Sequence, residues 1–388
     1  VPGISINHDG VRYSTGASKR IDNLSGIPSP YTSGLFDHIL EKANRRGITL
    51  NGIIETNRGC PFQCTFCDWG GTTFSKIKKF NMERISAEIE WFGKNKIELI
   101  TNTDANFGIF KSRDYDITDT LIGTKKKYGY PMIFDTCWNK NSNNTCVDLA
   151  EKLMDAKMMR RFSASVQSMN PDTLDAIKRV NLNGEQLSNL AYTAKGRGII
   201  VSTELIVGLP EETYDTWKDG VCRLIEDGFT VEAYPLTILP NSRMNNTDYK
   251  EKYGIKSKTI ESGFSNYITE TSETVIATKD IDEKSMEKIY IWTWLVQILD
   301  TNGFCNFLSR YLKKRHGIPL DRFYEKILQI SLKVEDTVLH THLKKMETFA
   351  KKYRYDMFLM GWHNQEVLED IGLYRREDFF KEIYNNFG

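Results

Sequence analysis

From residue 48 the chain repeats one rhythm. A short apolar, often β-branched run gives way to a connection rich in Gly, Asn or Ser, then to a longer stretch with apolar residues three or four positions apart. The runs predict strands over 48–55, 97–101, 132–136, 161–166, 199–207 and 230–234, and the longer stretches predict helices over 82–94, 114–128, 146–155, 171–179, 184–195 and 211–227. In the first helix Ile85, Ile89 and Phe92 share a face. Six strands alternating with helices imply an α/β fold with a parallel sheet and right-handed crossovers. Six units are too few for a closed eight-fold barrel, so a curved, partly open (β/α)6 barrel is expected, with an interior lined by apolar side chains and ligands at the carboxyl ends of the strands.

The flanks read differently. Ile4 and Ile6, a turn at Asp9-Gly10 and a return through Val11-Arg12-Tyr13 predict a hairpin over 1–16. Pro28 and Pro30 mark a linker over 17–33, and a helix over 35–46 ends near Gly47. Residues 241–279 read as irregular and polar, with Asn245, Asn246, Ser257, Ser262 and Gly263. Helices are expected over 287–299, 304–314, 321–332 and 338–353, with Trp292, Trp294 and Leu295 packing them on the barrel. The expected domains are therefore 1–47 (hairpin, linker and helix), 48–240 (barrel), 241–280 (irregular connection) and 281–388 (helical domain).

Composition narrows the function classes. A net charge of +1 over 388 residues makes no electrostatic case for nucleic acid or an anionic membrane surface. No apolar stretch is long enough to span a bilayer. Seven cysteines without framework spacing fit a reducing, cytoplasmic setting. The first residue is Val, which fits a chain that begins after something was removed.

Three of those cysteines, Cys60, Cys64 and Cys67, fall within eight residues just past the first barrel strand, spaced C-x3-C-x2-C. Three thiolates on one loop grip a soft metal centre. A structural zinc wants a fourth Cys or His, and none stands nearby: the next cysteine is Cys137 and the next histidine downstream is His316. The set therefore points to a centre with an open coordination position. The spacing, with Phe66 before the last cysteine, resembles the cluster loop of the radical SAM superfamily. That resemblance implies a [4Fe–4S] cluster held by Cys60, Cys64 and Cys67, with S-adenosylmethionine chelating the fourth iron. It also implies the partial barrel of that family.

The same resemblance assigns further residues to S-adenosylmethionine. Phe66 lies near the adenine. Asp104 and Asn106, in the segment after the second strand, offer acceptors for the methionine amine; the family's commoner Gly-Gly-Glu is absent there. Ser165 and Gln167 end the fourth strand as donors for a carboxylate or ribose. Glu204, Ile206 and Gly208 belong to the fifth-strand signature that cradles adenine, and a charge inside a strand at Glu204 is costly unless it is partnered. No catalytic residue is assigned. Cys137, Cys146, Cys222 and Cys305 read as buried thiols, Tyr234 as a rim aromatic, and His340 and His342 as pointing to different helix faces.

The activity implied is reductive cleavage of S-adenosylmethionine to a 5′-deoxyadenosyl radical that takes hydrogen from a small-molecule or peptide substrate, with electrons from a flavodoxin or ferredoxin type of donor. The Asp, Asn and Phe after the second strand, and the hairpin and Pro-rich linker ahead of the barrel, resemble the cobalamin-dependent subgroup. They imply C-methylation with cobalamin as a further cofactor, held on a domain separate from this chain. The rivals are radical SAM oxidation, cyclisation or rearrangement without cobalamin, and a non-catalytic Fe–S or zinc scaffold.

Overall fold

The computed structural model describes residues 2–16, 21–69, 76–141, 144–159, 161–262, 270–352 and 365–387. Gly70, Gly263 and Tyr353, which the expectations touch, lie outside them, as does part of the 17–33 linker.

The leading hairpin forms as expected, β1 (Ser5–His8) against β2 (Val11–Ser14), with Ile6 opposite Tyr13. It stands away from the core, with Ile4, Ile6, Val11 and Tyr13 all exposed. Helix α1 (Asp37–Arg46) stops at Gly47, whose left-handed φ of 62° suits a residue without Cβ.

The barrel is built from two separate three-stranded parallel sheets. In the first, β3 (Gly52–Ile54) pairs with β6 (Leu99–Phe107), which pairs with β7 (Ile133–Trp138). In the second, β8 (Phe162–Ser163) pairs with β9 (Val201–Val207), which pairs with β10 (Thr230–Pro235). A two-stranded antiparallel clamp, β4 (Asn57–Arg58) with β5 (Lys78–Lys79), closes the base of the cysteine loop.

Helices α2 (Met82–Lys94), α3 (Lys111–Tyr128), α4 (Asn144–Asp155), α5 (Pro171–Ala176), α6 (Gly184–Gly196) and α7 (Tyr214–Asp227) are the crossovers. Asn81, Asn170, Asn183 and Thr213 cap four of them with side-chain oxygens; the expected starts at 82, 171 and 184 are the observed ones, and the helix expected from 211 begins at Tyr214. Ile85, Ile89 and Phe92 are fully buried, and α2 lies so close to β3 that a Cβ on Gly52 would come within 2.6 Å of the Phe92 ring. The outer face of both sheets is thus apolar and sealed by helices.

The inner face departs from expectation: it is polar rather than apolar. Side chains alternate across a strand, so the partners of the buried outer residues face inward. In the first sheet these are Thr101, Thr103, Asp135 and Cys137. In the second they are Ser163, Ser165, Glu204, Glu232 and Tyr234. Cys137, expected as a buried thiol, is exposed there, whereas Cys146, Cys222 and Cys305 are buried. Arg161 pairs with Glu232, which also accepts from the Tyr234 hydroxyl at 2.7 Å.

Residues 241–279 are not an irregular connection. They hold α8 (Thr247–Tyr253) and, with β11 (Thr237–Ile238), a three-stranded antiparallel sheet in which β13 (Glu270–Ala277) lies between β11 and β12 (Lys256–Ser262). β12 carries only Ile260 among polar residues, and the apolar residues of β13 come together at its end as Val275, Ile276 and Ala277, so neither strand shows the period of two that marks a half-buried strand in sequence. The expected 48–55 and 161–166 strands shorten to β3 and β8, and the expected 97–101 strand lengthens through Phe107.

The C-terminal helices pack as expected. Trp292 and Trp294 on α9 (Glu283–Val296) are fully buried, and the Trp217 indole on α7 donates to Thr293 at 2.8 Å. The chain continues through a π-helical turn (Gln297–Thr301), α10 (Asn306–His316), α11 (Leu320–Ser331) and α12 (Val338–Lys352). On α12 His340 meets the Ser331 carbonyl and His342 meets Asp370, so the two rings serve different neighbours. No helix among the described residues is long and apolar enough to cross a membrane.

Candidate active site

The cysteine loop leaves β4 and returns to β5, and Gly59, with φ at 110°, turns the chain into Cys60. What fixes the start of the loop is Asp104. Its Oδ1 accepts from the backbone N–H of Thr56 at 2.7 Å and of Asn57 at 2.9 Å; its Oδ2 accepts from the Thr56 hydroxyl and from the Asn57 amide at 2.7 Å. Burial pushes the Asp104 carboxyl above its usual range, and these hydrogen bonds oppose the rise. Arg113 of α3 adds a brace, donating to the carbonyls of Thr56 at 2.8 Å and Phe80 at 3.0 Å, so both ends of the loop are held by one guanidinium.

Asp104 and Asn106 both fall within β6 and both are buried, in a stretch where the pairing with β7 shifts register between Asn102 and Phe107. Both Asp104 oxygens are engaged in building the loop base. Asn106 turns its amide to the metal-ligand sulfur itself, donating to Cys60 Sγ at 3.2 Å. Lys140, past β7, donates to Cys64 Sγ at 3.4 Å. Arg179, past α5, is 5% exposed, and its guanidinium lies within electrostatic reach of Cys64, Cys67 and Cys60. Burial draws the Arg179 pKa down, and the three thiols pull it back up. Arg179 also donates to the Ser165 carbonyl and, at 2.7 Å, to Asn181, which anchors it on the second sheet.

Cys60 and Cys64 are buried and Cys67 is half-buried. Among the described residues no three His, Cys, Asp or Glu side chains gather around one point as a single metal ion requires. Three thiols, an amide, an ammonium and a guanidinium aimed at two of the sulfurs, and a fixed loop base form a donor set suited to an iron–sulfur cluster, whose sulfurs are anionic acceptors. Phe66 is half-buried against the core and Trp69 is 45% exposed.

The second sheet contributes the other wall. Glu204 accepts from Ser165 at 2.8 Å and from Ser163 at 3.3 Å, so its charge inside the strand is partnered by hydroxyls, with no ion pair to it among the described residues. Gln167, at a left-handed φ of 72°, exchanges backbone hydrogen bonds with Glu204 at 2.8 Å and Ile206 at 2.9 Å. Gly208 has φ 95°, and a Cβ there would lie 3.2 Å from Met286 of α9. Although the Cys137 side chain is reached by solvent, the walls around it desolvate the thiol and raise its pKa, with Glu204, Asp135, Asp104 and Cys67 adding to it in that order. Cys137 thus senses charge from both sheets and from the cysteine loop. Ser165 and Glu204 form one cluster at the carboxyl ends, Cys60, Cys64, Cys67 and Asn106 another, and Arg179 joins them.

Arg113, Lys140 and Arg179 do not emerge from the sequence. Each is one cation among 52 Lys and Arg. Only their positions in the fold, one on α3, one past β7 and one past α5, bring them to the loop.

The profile of the radical SAM superfamily matches residues 54–220. The chain is 34% identical over 360 residues to the cobalamin-dependent radical SAM methyltransferase TokK of Streptomyces tokunonensis, covering 91% of this chain and 53% of that protein. It is 32% identical, with the same coverage, to the 2-(S-pantetheinyl)-carbapenam-3-carboxylate methyltransferase of Streptantibioticus cattleyicolor. The chain therefore spans about half the length of the curated relatives it matches. Its fold resembles that of the cobalamin-dependent S-adenosylmethionine radical enzyme OxsB, with a TM-score of 0.52 at 15% identity over 99% of this chain and 62% of that one. It also resembles the radical S-adenosylmethionine methyltransferase TsrM of Kitasatospora setae, with a TM-score of 0.51 at 15% identity over 70% of this chain and 58% of that one.

Proposed function

Because this chain belongs to the radical SAM superfamily, we propose that it is the radical-generating part of a cobalamin-dependent C-methyltransferase acting on a small molecule. The observation that carries the reading is the cysteine loop, with Asn106 donating to Cys60, Lys140 donating to Cys64 and Arg179 in electrostatic reach of all three sulfurs. Cys60, Cys64 and Cys67 would hold a [4Fe–4S] cluster. When bound, that cluster with S-adenosylmethionine supplies one-electron cleavage of a sulfonium and a carbon radical that removes hydrogen from the substrate.

The protein's own residues place and shield. Asn106, Lys140 and Arg179 offset negative charge on the sulfurs. Glu204, held by Ser163 and Ser165, accepts hydrogen bonds from ribose hydroxyls. Ile206 and Gly208 offer an apolar side chain and open backbone to the adenine, and Phe66 an aromatic edge. Gln167 holds β8 to β9 at this point. The polar inner face, with Asp135, Glu232 and Tyr234, binds the substrate's polar groups.

Methyl transfer rests on the relatives, both of them methyltransferases by name. Cobalamin is assigned here to a domain outside the residues described, or to a separate protein. Seven free cysteines agree with a cytoplasmic setting.

The test is anaerobic reconstitution with iron and sulfide, then dithionite, S-adenosylmethionine and methylcobalamin. Release of 5′-deoxyadenosine together with a methylated product supports the proposal. 5′-Deoxyadenosine with no methylation under any cobalamin supply favours oxidation or rearrangement. A colourless protein that leaves S-adenosylmethionine intact overturns the enzymatic reading.

A further inference from the structure

We propose that an acidic one-electron carrier protein docks over the cavity between the end of α5 and α8, and that electrons enter the cysteine site there. The inference rests on the reading of Cys60, Cys64 and Cys67 as cluster ligands and adds the partner and its place of contact.

The cavity, about 570 Å³, is separate from the inner face of the barrel, and none of Asp135, Glu204 or Tyr234 lines it. Its wall backs directly on the cysteine loop. Arg179 lines the cavity, is anchored by hydrogen bonds to Asn181 and the Ser165 carbonyl, and lies within electrostatic reach of Cys64. Tyr249 lines it too, and its hydroxyl lies 3.0 Å from the hydroxyl of Thr65, the residue after Cys64, and 3.0 Å from the Ala176 carbonyl it donates to. The loop is sewn to the same wall by Thr65 N–H to the Ile177 carbonyl at 3.0 Å and Met244 N–H to the Thr65 carbonyl at 2.9 Å. One layer of side chains therefore separates the outer surface from the sulfurs at this point.

The rim is charged for an acidic partner. Lys178, Arg243 and Lys252 are exposed around the opening, and Val180, 74% exposed, stands among them as an apolar contact. Asp175 and Asp248, also exposed, line the cavity as well, so the three exposed cations leave a net of one positive charge on the rim, with the buried Arg179 behind it. In a chain whose total charge is +1, that local excess is a feature of this surface rather than of the whole protein. Complementary charge accelerates encounter and fixes orientation more than it adds affinity, which suits a carrier that must leave after each transfer. The carrier loses one electron, a flavin hydroquinone becoming the semiquinone, as the cluster gains one. No bond in Arg179 or Tyr249 is made or broken.

The test compares the reconstituted wild-type chain with the triple variant Lys178→Glu, Arg243→Glu, Lys252→Glu. An equal charge change elsewhere, Lys96→Glu, Lys126→Glu, Lys195→Glu, is the control; all six positions are exposed. Stopped-flow reduction by an acidic flavodoxin hydroquinone at low salt should slow about tenfold or more in the first variant only. Raising the salt should erase the difference. Binding of oxidised flavodoxin, read by calorimetry without turnover, should weaken in the same variant. Dithionite should reduce all three proteins alike. Equal flavodoxin rates in all three, or equal loss in the control, overturn the docking surface and leave the cysteine reading standing. A wild-type chain that takes up no iron overturns both. The neutral set Lys178→Gln, Arg243→Gln, Lys252→Gln guards against misfolding and should fall between wild type and reversal.

Discussion

In the first sheet, three polar side chains of β6 are buried: Asn102, Asp104 and Asn106 are at most 2% exposed, and Asp104 and Asn106 hydrogen-bond the loop that carries the cysteines. In the second, Ser163, Ser165, Glu204 and Glu232 are half-buried on the inner face and leave lone pairs toward the concavity. Similar residue types at equivalent ends of two parallel sheets therefore do different work. The cause is the neighbour. β6 has β3 and the β4–β5 clamp beside it, whose backbone donors demand an acceptor; β9 has only β8 and β10, whose donors are already paired. A carboxylate beside orphan donors becomes a brace, and one beside two hydroxyls stays available to a ligand.

That contrast can be broken in graded ways. Replacing Cys60, Cys64 or Cys67 singly by Ala should abolish iron uptake and the visible absorption of the reconstituted protein while leaving the far-ultraviolet dichroism intact. Retained iron in any of the three would show that the loop is not the ligand set.

Asp104→Ala should be the most damaging substitution to the fold itself. It strands the buried donors of Thr56 and Asn57, at a cost on the order of 3–5 kcal/mol. Urea unfolding of the apoprotein measures it. A change below about 1 kcal/mol would return Asp104 to the ligand side of the comparison.

Asp114 of α3 sharpens the buried half further. Its Oδ2 accepts from the N–H groups of Gly108 and Phe110, both at 2.9 Å, while Oδ1 is buried without a partner. Burial raises its pKa from 3.8 to about 6. The folded state therefore holds the proton more tightly than the unfolded chain. The stability this contributes is complete below pH 3.8 and is lost as pH rises through about 6. The loss is at most about 3 kcal/mol. Asp114→Asn should flatten that part of the stability–pH curve relative to wild type, read by denaturant titration at pH 4, 5, 6 and 7. Parallel curves would mean that Asp114 ionises normally.

Glu204→Gln should move stability least, within about 0.5 kcal/mol, because its partners are hydroxyls that accept or donate equally well. It should nevertheless weaken binding of a non-cleavable S-adenosylmethionine analogue about tenfold, or about 1.4 kcal/mol. Unchanged affinity in calorimetry would take Glu204 out of the proposed site.

The helices were legible because their boundaries are local. Asn81, Asn170, Asn183 and Thr213 sit where caps belong, and Gly47 where a helix must end. The cysteine triad was legible because its spacing is. The sheet over 237–277 was not, since its three strands have no apolar face strong enough to be read before they pair. The inner face was misjudged for a related reason. Period-two alternation shows that Glu204 and Ser165 share a face, but not that this face lines a concavity left open by the gap between two half-sheets.

What the chain's own order of residues determined is the strand–helix rhythm and three sulfurs on one loop, both of which follow from spacing along a backbone. What only the folded structure decided is which charges meet those sulfurs. Arg179 lies 112 positions past Cys67 in the chain and comes within electrostatic reach of Cys64 because the end of α5 packs on the loop through Thr65 N–H to the Ile177 carbonyl. A guanidinium can be buried beside thiols only where the surrounding carbonyls and amides satisfy it, and that is a property of packing, not of sequence distance.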